Sequence, residues 1–160
     1  MINTLKKWYR TLSTPPIPPI KQIAFIDGDQ LLINSIEIYN KYLLNDNGEV
    51  IYIRQLFSGA KPPKKVQKMA NIEPLYLTGF TPGKEIVDKC IAIYMQKVLS
   101  EGYNHITVVS SDYDFIEIFR LLLIVDNRAK NVKFRMIIPK PVGRLKMLSN
   151  QVDNIEIIKL

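Results

Sequence analysis

Two short acidic runs follow apolar stretches in this chain: Asp27-Gly28-Asp29 after Ile23-Ala24-Phe25-Ile26, and Asp112-Tyr113-Asp114 after Val108-Val109-Ser110-Ser111. An apolar run that ends in a carboxylate reads as a buried strand delivering an acid to its carboxyl end, where ligands bind in open α/β sheets. Gly28 allows a tight exit from the first junction. The chemistry within reach of such acids is that of a hard, oxygen-bound cation, Mg²⁺ or Mn²⁺, acting on a phosphoryl group. With one histidine, His105, and one cysteine, Cys90, the chain lacks the means for Ser-His-Asp or HExxH chemistry, a zinc knuckle or an internal disulfide. Any catalysis rests on carboxylates, lysines and hydroxyls.

A blander role competes at each position. Ser111, Asp112 and Asp114 can cap a following helix by accepting from its first amides, and an acid in a first helical turn is favoured by the macrodipole. For one motif alone, capping wins. Two acidic junctions in a chain of formal net charge +7 weigh the other way, because gathering carboxylates costs repulsion that a divalent cation offsets. A third acid, Asp88 in Gly83-Lys84-Glu85-Ile86-Val87-Asp88, lies where a long helix starts and can turn inward, while Lys84 can meet a phosphate. For Cys90 a core position and for His105 a place at the mouth of a strand are expected.

The elements that must position these residues alternate. β-branched runs at residues 23–26, 50–56, 75–77, 106–110, 134–138 and 155–158 predict strands. Helices are expected at 30–44, at 64–70 in a lysine-rich stretch, from Thr81 and Pro82 to near Gly102, and at 115–125, with a turn at Asp46-Asn47-Gly48. This is the punctuation of a three-layer α/β fold, a mainly parallel central sheet with helices on both faces. The proline-rich Thr14-Pro15-Pro16-Ile17-Pro18-Pro19 is expected to be extended. It divides residues 1–20, a basic arm and linker carrying Lys6, Lys7, Trp8, Tyr9 and Arg10, from one domain at 21–160. The arm suits packing on the domain or docking a protein partner. Residues 1–10 are too polar for the apolar region of a signal peptide and no run is long enough to span a bilayer, so a cytoplasmic protein that avoids membranes is expected.

In order, Phe25-Ile26-Asp27-Gly28-Asp29, then Lys84 to Asp88, then Ser110-Ser111-Asp112-Tyr113-Asp114-Phe115 resemble the motifs of NYN domains, members of the PIN-like nuclease class. Leu148-Ser149-Asn150-Gln151-Val152-Asp153-Asn154-Ile155 is similar to the segment before their last strand, so the resemblance spans residues 22–160. It implies metal-dependent cleavage of phosphodiesters, mostly in RNA, with Asp27, Asp88, Asp112 and Asp114 catalytic, and Asp29 a weaker candidate. Asp27, Asp88 and Asp112 would hold Mg²⁺ or Mn²⁺, and Asp114 would orient water. Two departures stand out: Gln30 replaces a usual asparagine and Tyr94 a common helix aspartate. They keep open a degenerate NYN-like module that binds nucleic acid or a protein without cleaving.

A basic chain favours a polyanionic partner, here nucleic acid, with RNA ahead of DNA. Lys64, Lys65 and Lys68, with Lys84, Ser110 and Ser111, are candidate substrate contacts; Lys61, Arg128, Lys130, Lys133, Arg135, Lys140, Arg144 and Lys146 add to the basic surface. Tyr52, Phe57, Tyr76 and Phe80 fit packing better than base stacking. A symmetric homodimer would be unsurprising. A haloacid-dehalogenase-like phosphatase would use Asp27 and Asp29 as nucleophile and acid, but Gln30-Leu31 is not its usual continuation. A Toprim-type domain would need a glutamate where Asp27 stands.

Overall fold

The computed structural model describes residues 19–29, 35–58, 71–77 and 85–160. The expected helix at 64–70, the proposed helix start at Thr81 and Pro82, the arm, and Gln30, Lys61, Lys64, Lys65, Lys68, Phe80 and Lys84 lie outside the described residues.

The strands are β1 (Gln22–Asp27), β2 (Tyr52–Phe57), β3 (Ile72–Tyr76), β4 (His105–Val109), β5 (Lys133–Ile138), β6 (Gln151–Val152) and β7 (Ile155–Lys159). They form one seven-stranded sheet in the order β3-β2-β1-β4-β5-β7-β6. Every pairing is parallel except the hairpin of β6 with β7. Parallel strands buried on both faces need continuous apolar runs, and Ile23, Ala24, Phe25 and Ile26 are all fully buried.

Helices cover both faces. α1 (Ser35–Tyr42) sets Ile38 and Tyr39 against Ala24, Ile26, Ile53, Val109 and Ile137. On the other face lie α2 (Ile86–Ser100) and α3 (Asp114–Val125). The α2 stripe Val87, Ile91, Met95 and Val98 meets Ile23, Phe25, Ile106, Val108 and Phe134, as do Phe115, Phe119 and Leu122 of α3. Its spacing of three and four residues is that of an amphipathic helix seated on a sheet. The α/β class and two-sided layering expected from the sequence are those of the structure.

Several boundaries differ from expectation. α1 stops at Tyr42, because Leu44 pairs with Val50 in an antiparallel bridge and Asn45 closes a turn with Glu49 and Gly48. β3 starts three residues before the expected position. Its Pro74 is tolerated because β3 is an edge strand. The short helix α4 (Arg144–Met147), a 3-10 turn at Asn127–Asn131 and β6 were not expected. Among the described residues no helix is long and apolar enough to cross a membrane.

Candidate functional site

β1 is the point from which the sheet grows both ways: the chain lays β2 and β3 on one side and then returns to lay β4 and β5 on the other. The carboxyl ends of β1 and β4 therefore flank the topological switch point, where open α/β sheets leave a crevice. Ile26 pairs with Val109, so the next residues outward, Asp27 and Ser110, are neighbours across the gap between adjacent strands, about 4.8 Å wide. Both extend the face that α2 and α3 cover. Ser110 is fully buried and Asp27 only 5% exposed.

The two acidic junctions are built alike. Asp27 Oδ1 accepts from the amide of Asp29 at 3.1 Å, and Asp112 Oδ1 from the amide of Asp114 at 3.0 Å. Each aspartate thus folds the loop after its own strand by bonding two residues ahead. Ser110 Oγ accepts from Asp112 N at 3.1 Å, and Ser111 Oγ from Lys140 N at 3.1 Å. The serines therefore tie loops together, while Asp112 accepts from Asp114, the first residue of α3, as the blander expectation had it; Tyr113 is at the cap position without a side-chain bond. Gly28 is required by close approach: a Cβ there would lie 2.6 Å from the Leu56 carbonyl oxygen.

Asp88 comes from the first turn of α2, where the helix macrodipole would ordinarily lower a carboxyl pKa. Instead burial, then the charges of Asp112, Asp114 and Glu85, push it up to about 6 from an ordinary 3.8. Desolvation and like charge outweigh the dipole, as they do for a partly buried acid close enough to the β4–α3 acids to feel their charge. Asp112 is half-buried and Asp114 exposed. Asp88, Asp112 and Asp114 thus lie near one another, and Asp27 ends the neighbouring strand on the same face of the sheet. Glu85, just before α2, holds a left-handed backbone with φ +67°, a conformation that costs a non-glycine residue about 1 kcal/mol.

Asp29, the weaker candidate, has a different duty. Its carboxylate accepts from the amide of Ser58 at 3.1 and 3.0 Å and from the Ser58 hydroxyl, pinning the loop after β2. Tyr94 lies about 9 Å along the helix axis from Asp88 at 1.5 Å per residue. Its ring stacks 6.3 Å from that of Phe25 and takes the Arg54 guanidinium at 4.5 Å. The tyrosine fastens α2 to the sheet.

Among the described residues no three of His, Cys, Asp and Glu are gathered closely enough to hold a metal ion. The donors at the corner are all oxygen, and Asp88 carries a repulsion that a cation would relieve. Such a set fits a hydrated Mg²⁺ held by one or two carboxylates, with water filling the rest of its shell, and not an all-protein cage.

No family model and no curated protein matches this chain. Its fold is shared with a solved structure. That structure is a protein of unknown function from Vibrio parahaemolyticus RIMD 2210633, 13% identical, with a TM-score of 0.58 over 90% of this chain and 95% of the other. At that identity the likeness concerns the fold alone.

The basic residues divide by sheet end. Lys133 and Arg135 start β5 at the amino ends of the strands, paired with Glu156 at 3.7 and 2.9 Å. With Gln22, Asp46, His105 and Thr107 they line a cavity of about 120 Å³. Burial, then Lys133 and Arg135, push the His105 pKa down against the pull of Asp46. Arg128 is paired with Asp126 at 2.6 Å beside Lys130. These four cations are at the end of the sheet remote from the acids. Lys140, Arg144 and Lys146 follow β5 at its carboxyl end, beside the acidic corner, and none is in an ion pair among the described residues. Sequence order around β5 carried that distinction. Cys90 packs at the edge of the core with its pKa raised by burial, as expected, and Phe57 stacks on Tyr76 at 5.7 Å.

Proposed function

We propose that this chain is a cytosolic, metal-dependent nuclease of the NYN/PIN-like type that hydrolyses phosphodiester bonds, RNA being the favoured substrate. The observation that carries this reading is that β1 and β4 end side by side at the switch point, Ile26 opposite Val109, each followed by an acidic loop, with the Asp88 carboxyl pushed up by burial and by Asp112 and Asp114. Carboxylates held together against their own repulsion, at the switch point of a parallel sheet, are a feature of sites and not of scaffolding.

Asp27, Asp88 and Asp112 would share a hydrated Mg²⁺ or Mn²⁺, one or two of them directly and the rest through water, and Asp114, the exposed member, would orient the attacking water. The ion supplies Lewis-acid polarisation of the phosphoryl oxygens and a water of lowered pKa. Ser110 fixes the position of Asp112 through its amide, and Gly28 lets the chain leave β1 without displacing Asp27. At pH 7 a carboxyl titrating near 6 is about nine-tenths ionised, so Asp88 is ready to receive a cation. Lys64, Lys65, Lys68 and Lys84 would add to substrate grip from outside the described residues.

A second reading has a specific observation behind it: no closed three-ligand group exists among the described residues. On that reading the chain is a noncatalytic NYN-like module binding nucleic acid or a protein. The phosphatase reading is disfavoured by Asp29, whose carboxylate is engaged with Ser58.

The deciding experiment incubates the purified chain with labelled single-stranded and structured RNA, and with DNA, in Mn²⁺, Mg²⁺ or chelator. Asp27→Asn and Asp112→Asn serve as controls against contaminating nuclease. Metal-dependent cleavage lost in both variants supports the nuclease. Intact substrate throughout, from folded protein, transfers the proposal to the binding module.

A further inference from the structure

The loop after β5 brings an unusual surface against the acidic corner. Its sequence, Pro139-Lys140-Pro141-Val142-Gly143-Arg144, places Lys140 between two prolines that fix the backbone around it. The Lys140 amide donates to Ser111 Oγ at 3.1 Å, which locks this loop to the one carrying Asp112 and Asp114. Gly143, with φ +50°, turns the chain into α4, and the Arg144 guanidinium comes 5.9 Å from the centroid of the Tyr113 ring. Tyr113 is the residue between the two aspartates.

Lys140, Arg144 and Lys146 are exposed and free of ion pairs among the described residues, unlike Arg128, Lys133 and Arg135 at the other end of the sheet. Beside them Val142 is 51% and Met147 87% exposed. Unpaired cations interleaved with a half-buried aromatic ring and exposed apolar side chains are what a single strand with both phosphates and unstacked bases requires. A duplex keeps its base faces stacked inside and offers a ring nothing to stack on. The acidic corner itself repels phosphate, so affinity must come from next to it.

We propose that Tyr113, Lys140 and Arg144 form the ledge on which single-stranded nucleic acid lies beside the acidic corner, phosphates on the two cations and a base on the tyrosine ring. This rests on the nuclease reading for its purpose, but its binding measurement does not depend on cleavage.

The test measures fluorescence anisotropy of a labelled ten-nucleotide RNA with the full chain, in chelator, across a salt series. Arg144→Ala and Lys140→Ala should each weaken binding several-fold and make the log–log salt slope shallower by about 0.7, the value for one single-strand phosphate contact. Tyr113→Ala should cost about fivefold or more, as expected of one lost stacking contact, and Tyr113→Phe should recover it. Asp112→Asn should bind more tightly, through lost repulsion. Lys130→Ala, which removes the same charge at the remote end, should bind like wild type, and a blunt duplex of equal length should bind less well than the single strand.

Equal losses from Lys130→Ala and Arg144→Ala would overturn the ledge in favour of diffuse charge, and so would wild-type protein that does not bind the strand. Arg144 is exposed, so its alanine variant remains informative if Tyr113→Ala fails to fold. Cleavage in Mn²⁺ separates the two proposals. Activity lost in Asp27→Asn with KM unchanged in Arg144→Ala leaves the nuclease and removes the ledge, whereas ledge-dependent binding without cleavage does the reverse.

Discussion

Replacing Asp88 by asparagine should make the protein more stable at neutral pH when no divalent cation is present. The folded state holds this carboxyl at about 6, against 3.8 ordinarily, so folded protein binds the proton more tightly than unfolded protein does. The stabilising contribution of the protonated group is complete below about 3.8, is lost as pH rises to about 6, and is absent above that. Without screening, the difference would be about 3 kcal/mol. Asp88 is only half-buried, and solvent screening reduces it to about 1 kcal/mol. Asparagine keeps the shape and carries no charge, so Asp88→Asn should gain that amount at pH 7.5, about 2–4 °C in Tm for a domain of this size, and nothing at pH 3.5. Thermal and urea melts of both proteins in chelator, from pH 3.5 to 8, measure it. The difference between them cancels His105, whose lowered pKa makes its own contribution fall as pH drops below 6.5. Millimolar Mg²⁺ should then narrow or reverse the gap by stabilising wild type alone. An asparagine variant less stable than wild type at pH 7.5 in chelator, or a gain that does not vary with pH, would refute the claim that burial and the neighbouring acids hold the Asp88 carboxyl above its ordinary range.

Gly28→Ala should cost about 2–3 kcal/mol in urea unfolding, because its Cβ would meet the Leu56 carbonyl oxygen at 2.6 Å and backbone cannot swing aside as a side chain can; a loss under 0.5 kcal/mol would show that β1 and β2 separate easily there. Asp29→Ala should lose about 1–2 kcal/mol by freeing the Ser58 amide while retaining more cleavage than Asp27→Asn; the opposite ranking would revive a direct chemical role for Asp29. Tyr94→Ala should cost about 2–3 kcal/mol, since it removes the ring between Phe25 and Arg54, and Tyr94→Phe should melt close to wild type.

The sheet was legible where one physical signal dominated. β1 is a continuous apolar run and α2 a clean helical stripe, and both lie close to where those patterns put them. β3 begins before the expected 75–77 and includes Pro74, a residue that disfavours a strand interior; only the sheet order reveals that it is at an edge, where a missing donor is tolerated. α1 was read long because Leu43 and Leu44 continue its apolar pattern, whereas Leu44 turns away to pair with Val50. α4 and β6 depend on single turning residues, Gly143 with φ +50° and Asp153 with φ +54°, that periodicity does not register. At the site, the strand-end acids were legible from their apolar approaches. The effect of Asp112 and Asp114 on Asp88 was not, because it depends on how α2, packed over β1 and β2, turns its first residues toward the loop after β4.

On the nuclease reading, Tyr94 would bear less on catalysis than its place in the motif order suggests. A carboxylate there would start about 9 Å along the helix from Asp88, under the part of α2 that packs on Phe25, where the tyrosine ring also takes Arg54. On that reading, Tyr94 would stand as a fastening where the resemblance has an acid, and the switch-point corner would not depend on it. On the nuclease reading, retention of a cation would rest on Asp27, Asp88 and Asp112. With few protein ligands gathered and Asp114 open to solvent, much of the coordination would fall to water and to the substrate's own phosphate oxygens, the mode by which Mg²⁺ is ordinarily bound. Such a site fills best when nucleic acid is already in place, so a weak metal response in the free protein and a strong one with RNA bound would belong together. A metal affinity that RNA does not change would instead require a preformed cage, which the described carboxylates do not make.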